Sequence, residues 1–231
     1  MDKITEQLEQ AVTGSQHCYR NFDLTASIPQ EHLDPMIHAA TEAPSKQNHS
    51  YFNLTVVSNP DIISKIHDLT VGATVRSKTT KVQSVATNSQ TLANLVFVYE
   101  CKDFDQMSES FLEDQEMQEH DVEENAWQFN NSDGSNQKQV IAGFKQDQNR
   151  HLGISSGQLV LVANMLGYRT GYCTCFDNYA LKKLLNLEFT NFMLVGIGVP
   201  HPDKTRIEYK DDPDCDYMVK KREQVCVEIL D

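Results

Sequence analysis

The residues of this chain that could do chemistry are few and widely separated. Arg20 stands in a polar stretch near one end, and Lys220, Lys221 and Arg222 form the densest basic cluster near the other. That cluster is too small for a nucleic-acid duplex but large enough for one phosphate group. Arginine suits a phosphate because its planar fork fixes two donors at once. Asn48, Asn88 and Gln90 carry both donors and acceptors, which suits a ring edge of alternating carbonyls and N–H groups. The same residue types also serve ordinary turns. The six cysteines (Cys18, Cys101, Cys173, Cys175, Cys215 and Cys226) include no Cys-x-x-Cys pair. Cys173-Thr174-Cys175 lacks further ligands at matched spacing, His201 being the nearest, so no metal site is expected. His49 and His151 have no recognisable partner and read as exposed or structural. No Gly-x-Gly-x-x-Gly, phosphate-binding loop, Ser-His-Asp signature or paired-carboxylate motif occurs. With ten glycines in all, a separate dinucleotide domain is unsupported.

Composition limits what can position these groups. Of 231 residues, 39% are hydrophobic and 23% charged, the balance of a globular chain. A net charge of −13 repels a phosphate backbone, so no nucleic-acid partner is expected. The longest apolar runs, near Leu159–Ala163 and Phe192–Val199, fall short of the roughly 20 residues that span a bilayer. The polar start Met1-Asp2-Lys3-Ile4-Thr5-Glu6 lacks a signal-peptide core. The expectation is a soluble, cytoplasmic protein without a membrane partner and without a disulfide framework.

Periodicity predicts a helix over 2–13, capped by Asp2, with Ile4, Leu8 and Ala11/Val12 inward. A second helix runs from about Pro29 to Ala43 with Leu33, Met36, Ile37 and Ala40 on its inner face. A loop over Ala43–Asn48 leads into a strand at Tyr51–Val57, and Asn59 caps a short helix carrying Ile62, Ile63 and Ile66. Residues 70–90 show no clear period, and Leu95–Tyr99 reads as a buried strand. The acidic, amide-rich stretch 102–150 reads as a mostly helical excursion. After it come a helix at Ile154–Leu166 stopped by Gly167, a helix at Asp177–Leu187, a strand at Phe192–Val199 and an alternating strand at 225–230. Strands separated by helices indicate an α+β or α/β sandwich.

Six pieces of this sequence, in order, resemble the flavin-dependent nitroreductase family. They are Gln16-His17-Cys18-Tyr19-Arg20-Asn21-Phe22, Pro44-Ser45-Lys46-Gln47-Asn48, Asn88-Ser89-Gln90, Leu166-Gly167-Tyr168 through Tyr172-Cys173-Thr174-Cys175, Gly198-Val199-Pro200 and Lys220-Lys221-Arg222. Gln16 and Cys18 stand where the family has Arg and Ser, and Ser50-Tyr51-Phe52 replaces its Gln-Pro-Trp.

The resemblance implies one α+β domain over 1–231, with a central, mostly antiparallel sheet flanked by helices in a domain-exchanged homodimer. It implies FMN as cofactor and NADH or NADPH as electron donor. The acceptor would be a small molecule such as a nitroaromatic or quinone, reduced in two hydride steps. His17, Cys18, Arg20, Lys220 and Arg222 would meet the phosphate end. Pro44, Ser45, Lys46, Asn48, Asn88, Gln90, Tyr172, Cys173, Thr174 and Cys175 would line the ring and its chain, with the Thr174 backbone near N5. No side chain is expected to act as a catalyst, because the cofactor carries the chemistry. Residues 102–150 would form a lid and 203–231 an arm reaching the second subunit. The same scaffold also hosts reductive dehalogenases and flavin-fragmenting oxygenases, and a non-catalytic flavin-binding module is the remaining alternative.

Overall fold

The computed structural model describes residues 2–76, 83–86, 88–105, 135–190, 192–203 and 225–229. Helix α1 (Lys3–Ser15) starts where Asp2 accepts the Thr5 N–H at 2.9 Å. Only Ala11 of its apolar positions is buried. Ile4, Leu8 and Val12, expected inward, are exposed in the single chain. The reason is close approach: α1 lies on the long helix through its Gly14 side, where a Cβ would stand 2.7 Å from Asn164 Oδ1. Helix α2 (Gln30–Thr41) follows a Pro29 cap and runs through Pro35, with Met36 and Ala40 fully buried. Strand β1 (Phe52–Val57) leads to α3 (Pro60–Asp68), whose first N–H groups are met by the Asn59 side chain.

The stretch 70–90 contains a hairpin, β2 (Ala73–Arg76) with β3 (Gln83–Ala86), that its polar composition hides. Strand β4 (Leu95–Cys101) is buried along its whole length. Helix α4 then spans Ser135–Met165 without a break. Its 31 residues reach about 46 Å at the helical rise. Residues 135–150 are therefore the first half of this helix and do not belong to a separate excursion. The other described residues of the expected lid are 102–105, and 106–134 lie outside the described set. Gly167, at φ +90°, ends the turn after α4 in the left-handed region that favours glycine. Strand β5 (Arg169–Cys173) follows, so the expected Tyr172–Cys175 turn is half strand. Helix α5 (Asn178–Leu185), capped by Asp177, leads to β6 (Phe192–Gly198).

The main sheet has the order β1-β4-β6-β5, and every pairing in it is antiparallel. Alternation along β4 feeds two cores. Leu95, Phe97 and Tyr99 pack with Met36 and Ala40 of α2 and Leu159, Val160 and Ala163 of α4. Val96 and Val98 pack with Ile63 and Ile66 of α3 and Leu181 of α5. Each such side chain contributes about 1.5–3 kcal/mol on leaving water. Glu100, buried on the same strand, accepts the Glu188 and Phe189 N–H groups at 2.5 and 2.6 Å and so fixes the entry to β6. Among the described residues, no helix is long and apolar enough to cross a membrane.

Residues 225–229 form no strand within this chain, and Val225, Val227 and Ile229 are exposed. Lys220 and Arg222 lie outside the described residues.

A 3-10 turn, Ser89–Thr91, sits on β6 at Gly196, where a Cβ would come 1.9 Å from the Gln90 carbonyl oxygen. Gly196→Ala should therefore cost about 3 kcal/mol or more, since backbone must move. Gly153→Ala, in open space on α4, should be neutral or gain up to about 1 kcal/mol. Paired urea unfolding curves check the contrast.

Candidate functional site

The residues singled out in the sequence fall into two groups in the fold. The first gathers along β5. Tyr19 N–H donates to the Thr170 carbonyl at 2.8 Å, which lays the 17–20 segment beside this strand. Cys18 Sγ lies 3.6 Å from the Tyr172 carbonyl. Gln90 Nε2 donates to the same carbonyl and to Asn88 Oδ1, each at 3.2 Å. Asn88 Nδ2 donates to the carbonyls of Val71 at 2.7 Å and Cys175 at 3.5 Å. Both amides, expected to offer donors and acceptors to a ring edge, thus have their N–H groups held by the chain itself. One acceptor is left over. Gln90 Oε1 belongs to a side chain 3% exposed and has no hydrogen-bond partner among the described residues.

Gly171 is what lets these segments meet. A Cβ there would stand 2.6 Å from Gln90 Cβ, 2.8 Å from the Tyr19 oxygen and 2.9 Å from Cys18 Sγ. Burial pushes the Cys173 thiol above its ordinary pKa, so at neutral pH it is a packed thiol and not a thiolate. Tyr172 donates its hydroxyl to the Ser156 carbonyl at 3.2 Å, and burial raises its pKa as well. Thr174 and Cys175 follow the strand, exposed, while His17 is exposed and Arg20 half-buried.

The second group occupies the loop between α2 and β1. Pro44 and Ser45 enter it, and Gln47 and Asn48 both take left-handed backbone, at φ 54° and 57°. Lys46, expected among the residues lining the ring, is engaged elsewhere: its Nζ lies 3.3 Å from Asp147 Oδ2 on α4. Asp147, with a side chain 6% exposed, also accepts from Arg150 at 2.8 Å. One turn of α4 thereby tethers the loop. Gln148 beside it donates to the carbonyls of Tyr51 at 3.1 Å and Lys102 at 2.7 Å, locking the start of β1 to the chain leaving β4.

The loop borders a cleft of about 830 Å³ whose lining includes Ser45, Asn48, Phe52, Asn53, Leu54 and His151. His151, read in the sequence as exposed or structural, is 5% exposed. Its ring packs on Phe52 at a centroid distance of 4.7 Å and on Tyr51 at 5.9 Å. Burial lowers its pKa, while the nearby Ala43 carbonyl works in the other direction. Asp147, Gln148, His151 and Ser155 fall on one buried side of α4 at helical spacing. That polar stripe could have been found in the sequence had the helix been started at Ser135.

The two groups belong to opposite edges of the sheet. Strands β1 and β5 are its outer strands, separated by β4 and β6. Three inter-strand steps put them roughly 14 Å apart before any offset along the strands. The structure brings Cys18, Asn88, Gln90 and Tyr172–Cys175 together, and it does not bring Pro44–Asn48 to them within one chain.

The sequence profile of the Nitroreductase family matches residues 15–199, which include both groups and every strand of the sheet. The chain belongs to the nitroreductase family. Solved structures share the fold of this chain over most of its length. One, named for NAD(P)H:FMN oxidoreductase activity, is from Staphylococcus epidermidis: 16% identity, TM-score 0.54, covering 94% of this chain and 95% of that one. Another, a nitroreductase from Exiguobacterium sibiricum in complex with FMN, has 20% identity and TM-score 0.55, covering 90% and 96%. A third, CLA-ER, an enone reductase of gut-bacterial fatty acid saturation, has 19% identity and TM-score 0.54, covering 90% and 96%. No curated protein matches the chain.

Two expectations follow from this geometry. Asp147→Ala releases Lys46, so amide exchange over 45–50 should speed up while β4 stays protected, as hydrogen-exchange mass spectrometry would read. The second concerns pH. With the folded His151 pKa below its ordinary 6.5, the unfolded chain takes up the proton first. Stability is therefore fully present above that value and is lost as pH falls through it, until the folded ring titrates. Urea unfolding at about pH 7.5 and about pH 5.5 should show a smaller loss for His151→Phe than for the parent protein.

Proposed function

We propose that this protein is an FMN-dependent oxidoreductase, active as a homodimer. It takes electrons from NADH or NADPH and delivers them to a small-molecule acceptor such as a nitroaromatic or a quinone. The observation that carries this reading is the separation of the two binding segments on opposite sheet edges. A ligand that needs both must lie between two copies of the chain, with the β5 group from one and the Pro44–Asn48 loop from the other. The FMN complex of the Exiguobacterium sibiricum relative supports the choice of cofactor.

The residues present fit an FMN. Gln90 Oε1 is a buried acceptor without a partner among the described residues, and such an atom calls for a donor. Flavin N3–H or a ribityl hydroxyl supplies one. Cys18, which lies 3.6 Å from the Tyr172 carbonyl, would flank the ring system with the Tyr172–Cys175 backbone and not meet the phosphate end as expected, and the Thr174 N–H would face N5. Arg20, with His17, Lys220 and Arg222, would hold the phosphate, where two or three cations replace its water. Ser45 and Asn48 of a second copy would supply hydroxyl and amide groups at the far side. Bound FMN supplies the hydride exchange between the nicotinamide and the acceptor. The chain's own tasks are to bind, orient and exclude water, and none of its side chains serves as a nucleophile.

Three outcomes test the proposal. Purified protein should be yellow, or turn yellow with FMN, and bleach on adding NADH or NADPH without oxygen. A colourless protein that stays so with FMN would leave the non-catalytic module as the better reading. Arg20→Ala and Asn48→Leu should each lose most FMN. When the two variants are co-expressed, the mixed dimer should regain about one site in two, because one composite site then carries neither substitution. No recovery, in a protein that sediments as a monomer, sinks the shared site.

A further inference from the structure

We infer that His67 is a positioning residue, which acts through Thr91 and Asn88 to hold the turn that sets the Thr174 N–H against flavin N5. The inference rests on the oxidoreductase reading above and adds a residue to it. Thr174 follows β5 in a segment fastened at three points. The Tyr172 carbonyl accepts from Gln90 Nε2 at 3.2 Å. The Cys175 carbonyl accepts the Val71 N–H at 2.9 Å and Asn88 Nδ2 at 3.5 Å. The Asp177 N–H donates to the Leu69 carbonyl at 3.0 Å. Two elements supply these fastenings: the end of α3, with Leu69 and Val71 behind it, and the turn carrying Asn88 and Gln90.

His67 ties these two elements together. It stands one turn after Ile63, a buried anchor of α3, so the packing of the helix on the second core aims its ring. Its Nδ1 lies 2.8 Å from Oγ1 of Thr91, which is fully buried. Thr91 donates its hydroxyl to the Asn88 carbonyl at 2.9 Å, and its N–H reaches the same oxygen at 3.0 Å. One hydroxyl hydrogen cannot serve two acceptors, so His67 Nδ1 carries the proton and donates it. Asn88 Oδ1 in turn accepts from Gln90 Nε2 at 3.2 Å. The His67 carbonyl accepts the Thr70 hydroxyl at 2.7 Å and the Thr70 N–H at 2.9 Å, which fixes the turn presenting Leu69 and Val71. The network runs unbroken from α3 to the carbonyls on either side of Thr174.

The chemical use of this network is rigidity. A donor aimed at a reacting atom favours transfer when it needs no rearrangement as charge shifts. A small misplacement of such a group, even one caused at a distance, is enough to slow the reaction. Hydrogen bonds within one buried network also support one another. Loss of the His67 donor leaves a buried lone pair of Thr91 Oγ1 unmet, and the Asn88 turn is then joined to α3 by fewer bonds. The Thr174 N–H keeps its place in the chain but is held less firmly.

The test compares the parent with His67→Phe, Thr91→Val, the double variant and His67→Asn, whose Nδ2 stands where the imidazole Nδ1 does. In flavin-free protein, hydrogen-exchange mass spectrometry should show amides over 172–177 exchanging about fivefold faster in the first three. Protection of β4 should be unchanged, as the sign of an intact fold; were His67→Phe to loosen β4 as well, Thr91→Val decides. In FMN-loaded protein, bleaching by saturating NADH should slow about fivefold while the FMN dissociation constant stays within about twofold of the parent. The double variant should be no slower than either single one, because both cut the same link. His67→Asn should recover most of the parent rate. Exchange over 172–177 at the parent rate, additive losses in the double variant, or FMN binding that falls as much as the bleaching rate overturns the inference. A parent protein that binds no FMN overturns the oxidoreductase reading and this inference with it. A parent that binds FMN, with variants that bleach as it does, overturns this inference alone.

Discussion

A sheet covered on both faces has to do its recognition at its edges. Strand β4 sends Leu95, Phe97 and Tyr99 into one core and Val96 and Val98 into the other, and β6 does the same with Val195 and Ile197 against Leu194 and Phe192. Neither central strand has a face left for a polar ligand, since burying unpaired polar groups there would be costly. The groups able to bind something collect on β5 and on the loop before β1. This pairing of β4 with β6 sets the width of the sheet, and that width keeps the two groups apart.

Helix α4 converts the sheet into a site. Its apolar residues Leu159, Val160 and Ala163 settle it on the first core, and its earlier turns carry a stripe of polar residues across the same side. Asp147 and Gln148 hold the loop and the start of β1, and Tyr172 reaches the Ser156 carbonyl from the other outer strand. One rigid element therefore fixes both edges. A helix of about 46 Å suits that task, because it crosses the sheet without a joint.

Much of this was legible in the sequence where local chemistry decides. Asp2, Asn59 and Asp177 each cap a helix as their types and positions suggest, and β1, β4 and β6 follow their apolar runs. The motif order pointed to the family, and the profile match covers the same motifs up to Val199. What was not legible depends on tertiary contact. Burial at Asp147, Gln148 and His151 breaks the apolar period that marks a helix, so α4 looked shorter than it is. Strand β5 carries Thr170 and Gly171 among its residues, and the close approach of Cys18 and Gln90 requires that glycine, which reads locally as a turn. The separation of Pro44–Asn48 from Gln90 depends on strand order, which no local pattern encodes.

The apolar residues left uncovered bear on the same question as the divided site. On α1, Ile4, Leu8 and Val12 follow one another at helical spacing and are exposed in the single chain, while the Gly14 side of the helix takes up the contact with α4. At the far end, Val225, Val227 and Ile229 alternate and are exposed as well. Exposed apolar side chains are common singly; here they form two ordered rows, one with helical period and one with strand period, which the proposed dimer would put to use. A second copy would cover these rows and would also bring a Pro44–Asn48 loop to β5. Assembly and ligand binding would then share one set of contacts, so a change that loosens the rows should weaken cofactor retention without touching any residue of the cleft.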